Sequence, residues 1–244
     1  MFRVRVKLAC IILSSLIAIM ATPPPLHATP PIGLDGIGRD IGLGHQSLTT
    51  TQPNDVIILI VTCDSSKCEG SISSVNDSNG LLFSLRVSFT AGETLWEYYA
   101  VAKSPLTSDN ITIVSTVLSS GLCCVEMLVF GINGANTTAI FDRSLSSPET
   151  VACPVFPNVE TCSASATTST IDMVIASVAI NDAPACGDGV GGVPGFTTVD
   201  GAGGYLQVDF QIVRPRSNVT FSCVGFSDAE AIILDAVSFP SGFR

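Results

Sequence analysis

Charge is scarce in this chain. Only 13% of its 244 residues are Asp, Glu, Lys or Arg, about half the usual quarter. The basic side is the scarcer, with 11 Lys and Arg against 21 Asp and Glu and a formal charge of −10. That balance, without a sizeable basic cluster past residue 7, excludes the electrostatic footprint of a nucleic-acid binder. Lys, Glu and Arg are too few to coat long exposed helices, and no segment sustains a helical period. Histidine is nearly absent, with two residues, so a Ser-His-Asp or Cys-His centre lacks its base. No GxSxG elbow occurs. After the first 28 residues no apolar run reaches the roughly 18 residues of a membrane helix. Disorder is excluded from the other side, because 46% of residues are hydrophobic and few are charged.

What is present begins with a targeting pattern. Arg3, Arg5 and Lys7 precede an uncharged, largely apolar run over 8–21, and Thr22-Pro-Pro-Pro-Leu-His-Ala28 follows. A basic start, a short apolar stretch and a small residue closing a polar one predict a secretory signal peptide over 1–28. The expected cut is after Ala28, with Ala21 as the second choice. Fourteen residues rise only about 21 Å as a helix, short of the roughly 30 Å hydrocarbon core. Cleavage removes three basic residues and no acid, and takes the formal charge from −10 to −13. His45 is then the only histidine.

Eight cysteines remain: Cys63, Cys68, Cys123, Cys124, Cys153, Cys162, Cys186 and Cys223. An even count in a secreted chain predicts disulfides. Cys63 and Cys68 flank a short loop, and Cys153 and Cys162 flank one containing proline, so two local bridges are expected. Cys186 and Cys223 would pair with each other or with the Cys123-Cys124 doublet. Neighbours on a strand point to opposite faces, so the doublet should not bridge to itself. No CxxC pair with partner histidines exists, so neither metal nor cofactor is expected. Asn76, Asn110, Asn136 and Asn218 each open an Asn-X-Ser/Thr sequon at a turn or strand edge, where an N-linked glycan could project into water.

Residues 29–53 differ from the rest. Ile32 and Leu34, then Ile41 and Leu43, alternate with small residues in a glycine-rich stretch, the pattern of a strand that approaches other backbones closely. Residues 46–53 look like a polar linker. From Asn54 onward, β-type segments follow one another: 56–62, 81–89, 94–102, 111–117, 123–132, 171–180, 205–213, 219–226 and 231–239. Turn residues separate them, among them Asn79-Gly80, Gly92, Gly134 and Pro194-Gly195. Many short strands at this spacing predict an all-β fold, a jelly-roll or Ig-like two-sheet β-sandwich over 54–244 with an N-terminal extension strand.

Chemistry is hard to find. Glu93, Glu97, Glu126, Glu149, Glu160 and Glu230 could supply the carboxylate pair of a glycoside hydrolase, but nothing in the sequence brings two together. Glu97 alternates with Trp96 and Tyr98 and is expected to face water. No enzymatic activity is expected. Trp96, Tyr98 and Tyr99 could form a sugar-stacking platform, although aromatic strand residues usually fill sandwich cores. Asn76-Asp-Ser-Asn-Gly80 lacks the ligand spacing of a calcium loop and reads as a β-turn.

Several segments carry a resemblance. Asn54-Asp-Val-Ile-Ile-Leu59 resembles the opening GD-x-I-V strand of a broad group of secreted bacterial and archaeal β-sandwich domains. Ser73-Ser-Val-Asn-Asp-Ser-Asn-Gly80 is similar to their V-x-D-S-x-G turn, and Trp96-Glu-Tyr-Tyr-Ala-Val-Ala102 to their W-Y-A strand. Ser108-Asp-Asn-Ile-Thr-Ile113 and Phe130-Gly-Ile-Asn-Gly-Ala-Asn-Thr137, with Phe141-Asp142, resemble later segments. The likeness covers 54–142 well and 171–238 in outline. The whole arrangement also resembles subunits of archaeal surface threads. That resemblance implies a disulfide-bonded, N-glycosylated β-sandwich at the cell surface whose N-terminal strand inserts into the next subunit. Ile32, Leu34, Ile37, Ile41 and Leu43 would be the inserted side chains, and the partner a second copy of the chain. Backbone pairing would supply affinity and alternate apolar side chains would fill pockets. The competing expectation is a secreted glycan-binding or adhesive module that contacts cells or surfaces through its aromatics.

Overall fold

The computed structural model describes residues 32–41, 44–64, 72–115, 125–144, 148–153, 161–180, 186, 193–200, 204–223 and 229–240. These form an all-β molecule of fifteen strands. The first eight are β1 (Gly33–Ile41), β2 (His45–Leu48), β3 (Asp55–Asp64), β4 (Ile72–Asp77), β5 (Ser84–Ala91), β6 (Glu93–Ala102), β7 (Asp109–Ser115) and β8 (Val125–Asn133). The rest are β9 (Glu149–Ala152), β10 (Cys162–Thr167), β11 (Asp172–Ile180), β12 (Thr197–Asp200), β13 (Leu206–Val213), β14 (Asn218–Cys223) and β15 (Ala229–Ser238). All the paired strands are antiparallel.

Two five-stranded sheets make the centre, in the orders β1-β8-β3-β6-β5 and β12-β13-β11-β15-β9. A smaller sheet, β2-β7-β4, covers the outer face of the first, and the ribbon β10-β14 that of the second. The chain is thus a sandwich of four layers with three cores. Strand periodicity explains the layering. Val56, Ile58 and Ile60 point into the central core, where Met173, Ile175, Ile233 and Val237 meet them from the other sheet. Ile57, Leu59 and Val61 point the opposite way, onto Leu48, Ile111 and Ile113 of the outer sheet. On β11 the same alternation sends Val174, Ala176 and Val178 against Ala164, Ala166, Val219 and Phe221 of the ribbon. A strand buried on both faces has to be apolar at nearly every position, which is why VIILIV and MVIASVAI are almost unbroken.

The linker expected over 46–53 is partly strand. Its Leu48 is fully buried, and β2 pairs with β7 from His45↔Thr112 to Leu48↔Asp109. One apolar side chain at the right period is enough to dock it on the outer core.

The two halves of the chain repeat one topology. In each, a central strand (β3, β11) is flanked by two others (β6 and β8, β13 and β15), with β5 or β12 beyond on one side and β1 or β9 beyond on the other. The outer pair β2-β7 has its counterpart in β10-β14. Registers agree as well: Ile57, two residues into β3, faces Gly131, and Val174, two residues into β11, faces Ala236. Opposite those residues lie Asp35 and Asp142, the first paired with Gly131 and the second donating its N–H to the Ala236 carbonyl.

Disulfides brace the second half. Cys153 is bonded to Cys162 and Cys186 to Cys223, and all four line the core beneath the ribbon. Cys63 is also disulfide-bonded, while Cys68, Cys123 and Cys124 lie outside the described residues. Phe221 fills that core completely and meets Phe196 edge-on at 5.1 Å. Phe221→Ala is expected to cost about 3–5 kcal/mol through the cavity it leaves, to be measured by denaturant unfolding of the oxidised protein.

Candidate functional site

The N-terminal edge of the first central sheet is the feature that stands apart. β1 pairs with β8 alone, from Gly33↔Asn133 to Ile41↔Glu126. Its register shifts between Asp35 and Ile37, at Gly36, whose φ of 80° favours glycine. A side chain at Gly36 would run into the Thr49 carbonyl. Ahead of this bulge, Ile32 and Leu34 pack against the central core. Beyond it, Ile37 and Ile41 stay 48% and 51% exposed. Leu43 lies outside the described residues. Between them Arg39 forms an ion pair with the buried Glu126, its Nε donating at 2.6 Å. The Glu126 carboxylate also accepts the Tyr205 and Leu206 N–H groups at 2.6 and 3.0 Å. Burial pushes its pKa up, against the pull of Arg39 and of those amides. Through Glu126 the edge strand is coupled to the second half of the molecule.

Carboxyl groups do converge, though inside the layers. Asp35 accepts the Thr51 and Gln52 N–H groups at 2.7 Å each and the Thr51 hydroxyl at 3.0 Å. It lies within hydrogen-bonding reach of Asp55, which is fully buried. Asp142 accepts Ser144 N–H at 2.7 Å and both the N–H and the hydroxyl of Ser169 at 2.5 Å. Asp172, again fully buried, lies beside it. A third group joins the two halves. Arg86 of β5 grips Asp235 of β15 with two bonds, 2.7 and 3.1 Å, and stacks over the Phe141 ring at 4.1 Å. Glu97 of β6 sits against Asp235, fully buried, and neither of its oxygens meets a donor among the described residues. Burial, then the Asp235 charge, pushes the Glu97 pKa well up, against the pull of Arg86.

The expectation that Glu97 faces water is therefore wrong. Alternation does put it opposite Trp96 and Tyr98, but that opposite face is the central core and not solvent. Trp96 and Tyr98 are themselves buried against the outer sheet, 7% exposed each, so they form no surface platform. Tyr99 is half-buried and meets Phe141 edge-on at 5.0 Å. It borders an open groove of about 720 Å³ lined by residues 79–82 and 99–107, none of them acidic. Among the described residues no three His, Cys, Asp or Glu side chains gather as a metal cage. Among the other carboxylates singled out above, Glu93 is buried and accepts the Thr62 hydroxyl at 2.9 Å, Glu149 is exposed on β9, Glu230 is half-buried on β15, and Glu160 lies outside the described residues.

Of the four sequon asparagines, Asn76 and Asn110 are exposed on the outer sheet, and Asn218 is exposed on the ribbon. Asn136 is half-buried in a turn, its side-chain oxygen accepting the N–H groups of Thr138 and Ala139. Hydroxyl pairs Ser163–Ser222 and Ser165–Thr220 at 2.9 and 2.8 Å cover the ribbon's outer face. Three sequons thus occupy the two outermost layers, and none lies on the β1, β5, β9 or β12 edge strands.

No protein-family model matches this chain, and neither a curated protein nor a solved structure matches it. The molecule is a disulfide-bonded, four-layer β-sandwich protein, and its bonded cysteines fit an oxidising compartment.

Arg86→Met is expected to destabilise the protein by about 3–5 kcal/mol, because Asp235 is left buried without its cation. Adding Asp235→Leu should recover most of the loss. Thermal melts of the wild type and both variants check this.

Proposed function

We propose that the chain is a secreted structural subunit, without enzymatic activity, that builds an extracellular filament by exchanging β1 between copies. The observation that carries this reading is the position of β1. It is an N-terminal strand that completes a sheet from the outside, beside a β8 whose nine residues are all buried. A neighbour's β1 could enter the same slot in the same register, with Leu34 beside Ile132 and Arg39 on Glu126.

The internal repeat sharpens the comparison. In the second half the equivalent slot beside β15 is filled by Phe141–Asp142 and β9. Those residues are tied into the fold at both ends, between β8 and β10. Among the described residues β1 is continued along the chain only toward β2, so it is the slot-filling strand a copy could give away. Each such transfer is head-to-tail, and a contact of that kind that does not close on itself propagates as a fibre. Glycans on Asn76, Asn110 and Asn218 would point from the outer layers and leave the edge free. The thread-subunit resemblance of the sequence points the same way. The adhesive reading loses its platform with Trp96 and Tyr98 buried.

A cysteine pair at Leu34 and Ile132, which face each other in the β1–β8 register, separates the cases. Exchange between copies gives a covalent ladder on non-reducing denaturing electrophoresis of the assembled protein. Only monomeric bands, from oxidised pairs closed within one chain, would overturn the reading.

A further inference from the structure

The internal repeat duplicates more than topology. In both halves a carboxylate on the edge segment, Asp35 or Asp142, sits opposite equivalent residues of the flanking strand, Gly131 or Ala236. In both it accepts N–H groups from the segment that leads into the central strand, at Thr51 and Gln52 or at Ser169, together with a hydroxyl from that segment. In both it reaches the first residue of the central strand, Asp55 or Asp172. Both of those are fully buried. The preceding threonines correspond too: Thr50 and Thr168 are buried, and their N–H groups donate to the carbonyls of Leu106 and Ser217, just ahead of β7 and β14.

Each pair consists of two acids in one dry site. The groups facing the first pair are Thr50 and Thr51, Gln52 and the Gly131 backbone of β8. Those facing the second are Ser144, Ser169, Thr170 and Ser238. Among the described residues they are hydroxyls, amides and backbone, and no Lys or Arg forms an ion pair with either pair of acids. Two carboxylates cannot both be ionised so close together without a compensating charge. The member that accepts several N–H bonds keeps its charge, and the other must carry a proton and donate it across the pair. Asp55 fits that role, since neither of its oxygens meets a donor among the described residues. Asp172, fully buried beside an Asp142 that holds the shorter N–H bonds, takes the role in the second pair, with Thr170 and Ser238 also donating their hydroxyls to it at 2.8 and 2.9 Å.

We propose that the two pairs are proton-operated clasps: the shared proton fastens the edge segment to the central strand of its half, and losing it loosens that segment. The effect is largest at β1, an edge strand with β8 as its one strand neighbour among the described residues. A rise in pH would thus open the β1 slot, a regulation of strand exchange that rests on the filament reading only in its consequence for assembly.

The titration supports the geometry. Burial, then its hydrogen bond to and the charge of Asp35, pushes Asp55 up to about 7. Burial and the neighbouring Asp142 push Asp172 up to about 6. Burial opposes the shift at the edge carboxylates, but hydrogen bonds outweigh it, so Asp35 is lowered and Asp142 is held far below the usual range. An acid whose folded pKa is raised contributes stability that is complete below its unfolded pKa and is lost as pH rises through the folded one. For these pairs the loss begins at the ordinary carboxylate pKa and is complete near about 6 for Asp172 and about 7 for Asp55. The lowered partners work the other way, losing their contribution only in strong acid. Stability should therefore peak in mild acid, and Glu97 adds to the alkaline loss in the same sense.

The test is amide hydrogen exchange of the full mature protein from mild acid to mild alkali, with opening constants taken after division by intrinsic exchange rates. Between the ordinary carboxylate pKa and the Asp55 value of about 7 the opening constant of β1 amides should rise by up to roughly tenfold per pH unit, and level off above it. In Asp55→Asn the amide donates to Asp35 at every pH, so the part of the pH dependence carried by Asp55 should vanish, leaving that of Glu126, which faces Arg39 of β1. A pH-independent wild type would overturn the clasp, and so would an Asp55→Asn variant that opens as the wild type does. Should Asp55→Asn fail to fold, the infrared band of a buried protonated carboxyl in the wild type decides. It must be present in mild acid and fade as β1 loosens; its absence in acid overturns the proposal. Calcium that re-closes β1 at alkaline pH would show a cation site in place of a proton clasp, and also overturn it. The measurement reads opening in any oligomeric state, so a failed clasp and a failed cysteine ladder remain separate results.

Discussion

The inner strands of the two central sheets have to be covered twice. That constraint organises the whole molecule. β3, β8 and β11 are buried along both faces, and a sheet of this kind exposed on one side would present a broad apolar surface to water. Packing the two five-stranded sheets together hides one face of each. The remaining faces require the β2-β7-β4 sheet on one side and the β10-β14 ribbon on the other. Polarity is pushed to the outermost faces, where serine and threonine ladders and the sequon asparagines stand.

The same constraint explains where the charges went. With so few ionisable groups, many of the acids lie inside: Asp35, Asp55, Glu97, Glu126, Asp142, Asp172, Asp209 and Asp235 are all buried. Apart from Asp209, which lies within β13, each sits at the margin of a sheet, at its start, or at the junction between halves. Two are matched by arginine, two by backbone amides and Asp209 by the Gln207 side-chain amide. The rest face another acid. Buried polar groups cost free energy unless paired, and a chain poor in Lys and Arg pairs them with amides, hydroxyls and protons.

Part of this was legible in the sequence. The all-β class, ten of the fifteen strands, and the placement of Trp96 and Tyr98 on one face with Tyr99 on the other follow from period-2 alternation. Other parts were not. Glu97 was misplaced because alternation says which residues share a face, not what covers the face. β2 was missed because four residues with one apolar side chain carry almost no periodic signal. The internal repeat left a faint trace. Thr50-Thr51 stands four residues before Asp55 and Thr168-Ser169 stands three before Asp172, each ahead of an apolar run. The acid pairs could not be read at all, since Asp35 and Asp55 are 20 positions apart and Asp142 and Asp172 are 30.

By itself, then, the sequence determined local conformation and the apolar faces, because these depend on residues two or four positions apart. It also set the cysteine pattern, a matter of count and spacing. Tertiary structure alone decided which face meets which. It turned one span of strands into two like halves, put β1 at an edge beside β8, and brought acids from distant segments into contact. Such contacts join residues through sheet register and layer packing, and neither is a property of neighbours along the chain.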